Sequence, residues 1–219
     1  ADADRVAAAL SAALDGLPRG AELDEPDHGV QDNATQEQPR LVTEAMDVTQ
    51  GKLALGFRTG GACVWEEDYP ALLVFNALYG GTPTSRLFLN VREKLSLCYF
   101  ASSMLEKFKG VMVVSSGIEF ANYEKAKAEI LAQLDNCRTG AFEDWELEGA
   151  RRAVVSSLRA AMDVQSRLED YWLGQAVAGL EEPPQDLVDR VEAVTRAQVT
   201  AVAGKMELDT IYFLKGKED

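Results

Sequence analysis

The sequence predicts a single α+β domain in which helices cover one face of a mainly antiparallel sheet. Apolar and polar residues alternate around 53–57, which is typical of a strand with one buried face. Two further strand-like runs, Cys98–Glu106 and Val111–Phe120, are joined by a short loop and read as a hairpin. Helical periodicity fills most of the remaining chain up to a last strand at Thr210–Leu214, and this order favours the α+β class.

The composition is that of an acidic globular chain with enough apolar residues for a sizeable core. It has 219 residues, of which 47% are hydrophobic, and its net charge is −14 because 36 acidic residues outweigh 22 basic ones. This charge argues against nucleic acid as a partner, since Lys and Arg must neutralise the phosphates, and equally against an anionic membrane surface. No apolar run approaches the roughly 18 residues that span a bilayer, and no secretory signal is visible.

The first element is a helix from Asp4 to Leu14, and residues 22–40 are polar and read as a loop. The chain starts without Met and inside a helix, so residues 1–219 are expected to be one domain taken from a longer protein. His28 stands in the loop between Asp27 and Gly29, where a solvated turn histidine is expected.

The middle of the chain alternates strands with short helices. After the strand that contains Leu53, Leu55 and Phe57, a helix is predicted from Asp68 to Tyr79. The run Gly80-Gly81-Thr82-Pro83-Thr84 is expected to break it, and Ser85 to cap a second short helix.

Several helices are predicted between the hairpin and the last strand. Asn122 can cap the first of them, which Gly140 closes. A long helical stretch over 143–180 is expected to bend or break near 163–166 or near Gly174. A short helix over 185–194 and another capped by Thr195 follow.

The cysteines indicate a reducing compartment. Cys63, Cys98 and Cys137 are odd in number, scattered and without a CxxC pair, so reduced and mostly buried thiols of a cytoplasmic protein are expected.

A single histidine nearly excludes a self-sufficient zinc hydrolase built on paired His ligands. A zinc peptidase motif places two His one helical turn apart, and a Ser-His or Cys-His pair would have to use His28. The sequence also lacks GxSxG, GxGxxG and a phosphate-binding GxxxxGK loop. The acidic pairs Glu66-Glu67 and Glu181-Glu182 are interpreted as solvated faces. No catalytic residue and no metal ligand is therefore assigned to this chain.

Residues 76–100 combine a glycine turn, a capped helix, a basic–acidic cluster and an aromatic strand. The pieces are Leu78-Tyr79-Gly80-Gly81, Ser85-Arg86-Leu87-Phe88, Val91-Arg92-Glu93-Lys94 and Ser96-Leu97-Cys98-Tyr99. Together they resemble the signature of the pitrilysin/insulinase family of zinc peptidases, in its C-terminal, non-catalytic domain. The strand around Leu55, the helix after Thr195 and the last strand resemble the same domain, so the resemblance covers almost the whole chain.

The resemblance implies a substrate-binding role beside a zinc site that lies elsewhere. In the family, a zinc-bearing domain with an inverted HxxEH motif faces a related domain across a closed chamber. The related domain contributes an Arg and a Tyr, seven positions apart, that contact the substrate backbone, and Arg92 and Tyr99 match them. The implied partners are a zinc-bearing homologous domain or subunit and a peptide, and the implied zinc belongs to that partner.

The residues themselves leave other interpretations open. Arg92 could pair with Glu93 or Asp68, and Tyr99 could be a core aromatic of the sheet. Arg86 is interpreted as a structural anchor, and Ser85 as a helix cap rather than a nucleophile. A scaffold or accessory subunit of the same family, without a peptidase role, is the alternative function. An acidic binding module that shares only the fold is a third.

Overall fold

The computed structural model describes residues 2–18, 20 and 31–217 of the chain. The strands are β1 (Arg40–Met46), β2 (Gly51–Arg58), β3 (Cys98–Glu106), β4 (Val111–Ile118) and β5 (Glu207–Gly216). The α-helices are α1 (Ala3–Leu14), α2 (Tyr69–Asn76), α3 (Tyr123–Arg138), α4 (Asp144–Met162), α5 (Gln165–Ala178), α6 (Pro184–Glu192) and α7 (Arg196–Lys205). Two π-helical segments, Ala77–Gly81 and Leu87–Lys94, and a short 3₁₀ turn, Phe120–Asn122, complete the elements.

The strands form one sheet in the order β1-β5-β2-β4-β3. Strand β2 is antiparallel to both of its neighbours, β4 and β5, and β3 is antiparallel to β4. The edge strand β1 runs parallel to β5 and was not among the predicted strands. Its side chains are mostly exposed, with Leu41 among them, so it lacks the alternation that marks a half-buried strand.

One face of the sheet carries the core. Leu53, Leu55 and Phe57 of β2 are buried, whereas the intervening side chains of the same strand face the opposite, open side. Leu72 of α2 and Ile130 of α3 belong to the same buried cluster. The mixed α+β fold with a mainly antiparallel sheet and helices on one face is confirmed.

The run from Gly80 to Thr84 ends the helix, as predicted. The last residues of the helix, up to Gly81, form wider π-type turns, and Thr82 is extended. A Cβ placed on Gly80 would lie 2.7 Å from the backbone nitrogen of Ser103 on β3, which is closer than real Cβ atoms come to backbone. The glycine therefore allows close packing of this segment on the sheet, and its contact partner lies far along the sequence.

The later helices follow the predicted pattern. The long stretch breaks at Asp163–Val164, between α4 and α5, and Gly174 lies inside α5. Thr195 and Gln198 form a reciprocal capping box at the start of α7. Asn122 lies at the N-cap position of α3, but its side chain makes no capping hydrogen bond.

The N-terminal region is only partly described. Helix α1 is present, and none of its residues is buried. The prediction for His28 falls outside the described residues.

The three cysteines are free, as expected. No helix in the described part of the chain is both long and apolar enough to cross a membrane.

Candidate functional site

The second π-helical segment, which carries Arg92, is anchored through Arg86. The Arg86 guanidinium is buried, and its Nη1 donates hydrogen bonds of 2.9 Å to both carboxylate oxygens of Glu146 on α4. Its Nε donates to Oε1 of Gln133 on α3, and Asn90 Nδ2 donates to the same oxygen, each at 3.1 Å. These hydrogen bonds to α3 and α4 fix the position of the segment relative to the sheet.

A tight turn connects this segment to β3. The amide of Ser96 donates to the Arg92 carbonyl and that of Leu97 to the Val91 carbonyl, each at 3.0 Å. Ser96 has φ of 49°, in the left-handed region that residues with a Cβ rarely adopt. The turn reverses the chain at once, so Arg92 and the first residues of β3 come close together.

Tyr99 is the extra residue of a β-bulge. Cys98 pairs with Ile118 and Phe100 pairs with Gly117, so Tyr99 has no partner on β4. Bulges increase the local twist and redirect a side chain, and they are enriched beside functional sites. Tyr99 is 55% exposed rather than a core aromatic, which excludes the alternative interpretation given above.

Arg92 is half-exposed and oriented by an aromatic ring. Its guanidinium carbon lies 4.7 Å from the centre of the Phe88 ring, a cation–π contact. Its Nη1 lies 3.2 Å from Oε1 of Glu93, whose side chain is itself more than half exposed. Asp68 is not its partner, because that carboxylate pairs with Lys205. Exposed ion pairs of this kind contribute about 0–1 kcal/mol, so Glu93 does not prevent Arg92 from binding a ligand.

Arg92 and Tyr99 line one cleft of about 380 Å³. The remaining lining residues are Glu93, Ser96, Leu97, Cys98, Glu119 and Asn122. Glu119 and Asn122 were not among the predicted site residues. Counting outward from the hairpin loop places residue 119 opposite residue 98. The predicted hairpin could therefore have identified Glu119 as a neighbour of this site.

The cleft presents hydrogen-bond donors and no strong nucleophile. Burial raises the pKa of Cys98 above its usual range, although a hydrogen bond with Ser116 and the charge of Arg92 oppose the shift. Its thiol therefore stays protonated at neutral pH. Among the described residues, no group of three His, Cys, Asp or Glu side chains could hold a metal ion. A guanidinium and a phenol are suited to binding carbonyl or carboxylate oxygens.

Comparison with known proteins agrees with this architecture. The family described as peptidase M16 inactive domain matches residues 1–154. The chain belongs to this family. A relative in Bacillus subtilis named "Probable inactive metalloprotease YmfF" is 40% identical over 83% of this chain and 42% of its own length. A Mycobacterium tuberculosis protein named as an uncharacterized zinc protease is 30% identical over 75% of this chain and 38% of its own.

Solved structures of similar proteins share the fold. A conserved protein from Enterococcus faecalis superposes with a TM-score of 0.80 at 31% identity, over 87% of this chain and 45% of that one. A peptidase M16 inactive domain from Pseudomonas fluorescens gives a TM-score of 0.77 over 99% of this chain at 20% identity, which bears on the fold alone. The chain spans less than half the length of the curated relatives described above. The insulinase-like resemblance of the sequence is thereby confirmed.

Proposed function

We propose that this chain is the non-catalytic, substrate-binding domain of an insulinase-like zinc metallopeptidase. Arg92 and Tyr99 would contact the peptide backbone opposite a zinc site on another domain or subunit. The observation that carries this proposal is that both side chains line one cleft. A location in the cytoplasm and one domain spanning residues 1–219 belong to the same proposal.

Arg92 is suited to hold the bound peptide before reaction. A guanidinium offers a planar fork of donors that matches a carbonyl or carboxylate oxygen. Stacking on Phe88 restricts the orientation of that fork, which lowers the entropy lost when a peptide binds. Its contribution is therefore expected in substrate affinity.

Tyr99 is suited to stabilise charge that develops during reaction. Tyr99 is the exposed residue of the bulge, and its hydroxyl can donate to a peptide carbonyl oxygen. Such a donor stabilises that oxygen more strongly as it becomes negative under attack. Its contribution is therefore expected in the turnover rate rather than in binding.

The steady-state kinetics of peptide cleavage by the full protein, with its zinc-bearing partner, test both roles. Arg92→Ala should raise KM about tenfold or more, since a charged hydrogen bond is lost, and Tyr99→Phe should lower kcat with little change in KM. Arg152→Ala is the matched control, because Arg152 is exposed and lies outside the cleft. Unchanged kinetics in both cleft variants would contradict the proposal.

A second candidate is a scaffold or accessory subunit without a peptidase role. It is favoured by the name of the Bacillus subtilis relative, which describes that protein as a probable inactive metalloprotease. This function predicts that the assembled protein cleaves no peptide, with or without chelator, and that Arg92→Ala and Tyr99→Phe leave partner assembly unchanged. Chelator-sensitive cleavage by the assembled protein would exclude it.

A further inference from the structure

A second cavity lies on the helical side of the molecule and shares no lining residue with the Arg92 cleft. It encloses about 290 Å³ between α2, α4, α5 and the loop of the β3–β4 hairpin. Its walls include Leu73 of α2, Val154 and Leu158 of α4, and Leu187 of α6. Small-molecule sites are concave and mostly apolar with a few polar groups, and this volume is at the lower end of their range of about 300–1,000 Å³.

Gln175 on α5 lines this cavity and has one unpaired donor group in the described part of the chain. Its side chain is 4% exposed, and its Oε1 accepts a hydrogen bond of 3.0 Å from the Glu182 amide. This bond fixes the orientation of the carboxamide, so the Nε2 end is the free one. In the described part of the chain, Nε2 has no acceptor within reach.

Tyr69 supplies a second donor. It is only 6% exposed and lines the cavity, and its hydroxyl has no hydrogen-bond partner among the residues that the structure describes. Burial raises the pKa of the Tyr69 phenol well above its usual range, so the hydroxyl keeps its proton. The neighbouring Tyr171 differs, because its hydroxyl donates to the Glu182 carbonyl at 2.9 Å.

Lys107 also lines this cavity and adds a positive charge to its wall. Its Nζ lies 3.4 Å from the point that a Cβ on Gly174 would occupy, next to Gln175, and 5.0 Å from the centre of the Phe108 ring. Within the described ranges no carboxylate forms an ion pair with it. Burial lowers its pKa, against the opposing charge of Glu106. Lys107 therefore keeps donor capacity for an anionic ligand.

These three groups share one chemical preference. Each is a donor without an acceptor, and one is a cation, so together they favour an anionic oxygen ligand. Leu73, Val154, Leu158 and Leu187 make other parts of the wall aliphatic and favour an alkyl group. We propose that this cavity binds a short aliphatic carboxylate, with its carboxylate near Lys107, Tyr69 and Gln175 and its alkyl chain against α4.

The same chemistry has two natural sources. One is a free short-chain fatty acid, and the other is an aliphatic residue at the free C-terminus of a peptide. Because the cavity and the Arg92 cleft are separate, this inference does not depend on the function proposed above.

Isothermal titration of the full protein with sodium octanoate tests the inference. Saturable binding to one site is expected, and Lys107→Met should weaken it about tenfold or more, the effect of losing a charge-assisted hydrogen bond. Lys109→Met is the matched control, because Lys109 is exposed on the same hairpin loop and does not line the cavity. Octanol, which has the chain without the charge, should bind much more weakly than octanoate.

A second variant keeps the test decisive if Lys107→Met folds poorly. Ala153→Leu adds volume to the α4 wall of the cavity and should abolish octanoate binding. N-acetyl-leucine, titrated in parallel, represents the peptide C-terminus, and the tighter of the two ligands identifies the source. The inference is overturned if neither carboxylate saturates a site, or if both cavity variants bind as the unaltered protein does.

Discussion

The hydroxyl oxygen of Tyr99 lies 3.5 Å from Oε1 of Glu119, at the outer limit of a hydrogen bond. The residue is the unpaired member of a bulge, and its ring is more than half exposed. Neither the sheet nor the core therefore requires this hydroxyl. This hydroxyl is available for a ligand, beside an arginine whose ion pair with Glu93 is exposed and whose guanidinium lies over the Phe88 ring.

Two Tyr→Phe variants should differ in their free energy of unfolding, because the Tyr99 hydroxyl is available for a ligand whereas the Tyr79 hydroxyl stabilises the fold. Tyr99→Phe should change the free energy of unfolding by less than about 0.5 kcal/mol, as surface substitutions usually do. Tyr79→Phe should destabilise the fold by about 0.5–1.5 kcal/mol, because the fully buried Tyr79 donates a 2.9 Å hydrogen bond to the Ile130 carbonyl in addition to that carbonyl's bond within α3. Urea denaturation measures both values, and equal effects would argue against this distinction.

Removing one member of the buried Arg86–Glu146 pair should be costly. Arg86→Met leaves the Glu146 carboxylate buried without its cation, and losses of about 3–5 kcal/mol are typical of that situation. Adding Glu146→Leu to the same protein should recover part of the loss, since no unpaired charge then remains. Arg152→Met, which breaks an exposed pair with Glu148, should cost at most about 1 kcal/mol in the same chemical denaturation.

The turn after Lys94 offers a stabilising change. Ser96 adopts a left-handed conformation that glycine adopts without a steric penalty. Ser96→Gly should therefore raise the free energy of unfolding by about 0.5–1 kcal/mol, the penalty being partly offset by the greater freedom of glycine in the unfolded chain. Thermal unfolding would show the gain as a higher Tm. A lower Tm would mean that the Ser96 side chain stabilises the turn by a contact of its own.

Stability should fall in alkaline solution. Burial raises the pKa of Cys137 from 9.0 to about 12 and that of Cys63 from 9.0 to about 11. Above about pH 9 the unfolded chain releases thiol protons that the folded chain still holds, so unfolding becomes more favourable as pH rises to about 11–12. The slope approaches about 1.4 kcal/mol per pH unit for each such thiol.

Denaturation curves collected from pH 8 to pH 11 measure this slope. Cys137→Ala removes one of the titrating thiols and should make the decline shallower, whatever its effect on stability at neutral pH. The remaining decline would come from Cys63 and from phenols such as Tyr171, whose pKa is raised to about 12 by partial burial. The same slope in Cys137→Ala as in the unaltered protein would contradict this account.

Local patterns predicted the elements that are amphipathic on their own. The alternation of Leu53, Leu55 and Phe57 marked β2, and the capping residues at Thr195 marked the start of α7. Strand β1 could not be recognised in this way, because it is an exposed edge that exists through its pairing with β5. The glycine run after Tyr79 marked the end of its helix, but the close approach of Gly80 to Ser103 could not be predicted because it depends on tertiary packing.

The candidate site was predicted in part. The spacing of Arg92 and Tyr99, together with the family resemblance, singled out two side chains that the fold places in one cleft. The bulge that exposes Tyr99 depends on the register between β3 and β4, which no local pattern specifies. The cavity beside Lys107 was not foreseen, because its walls come from α2, α4, α5 and a hairpin that are distant in sequence.

Equilibrium peptide binding tests the central claim most directly. A fluorescent peptide is titrated into the full protein after chelation has stopped any cleavage, and its anisotropy reports binding. Arg92→Ala should weaken binding about tenfold or more, whereas Tyr99→Phe and the control Arg152→Ala should bind as the unaltered protein does. Equal affinity in Arg92→Ala and Arg152→Ala would contradict the assignment of this cleft to the substrate.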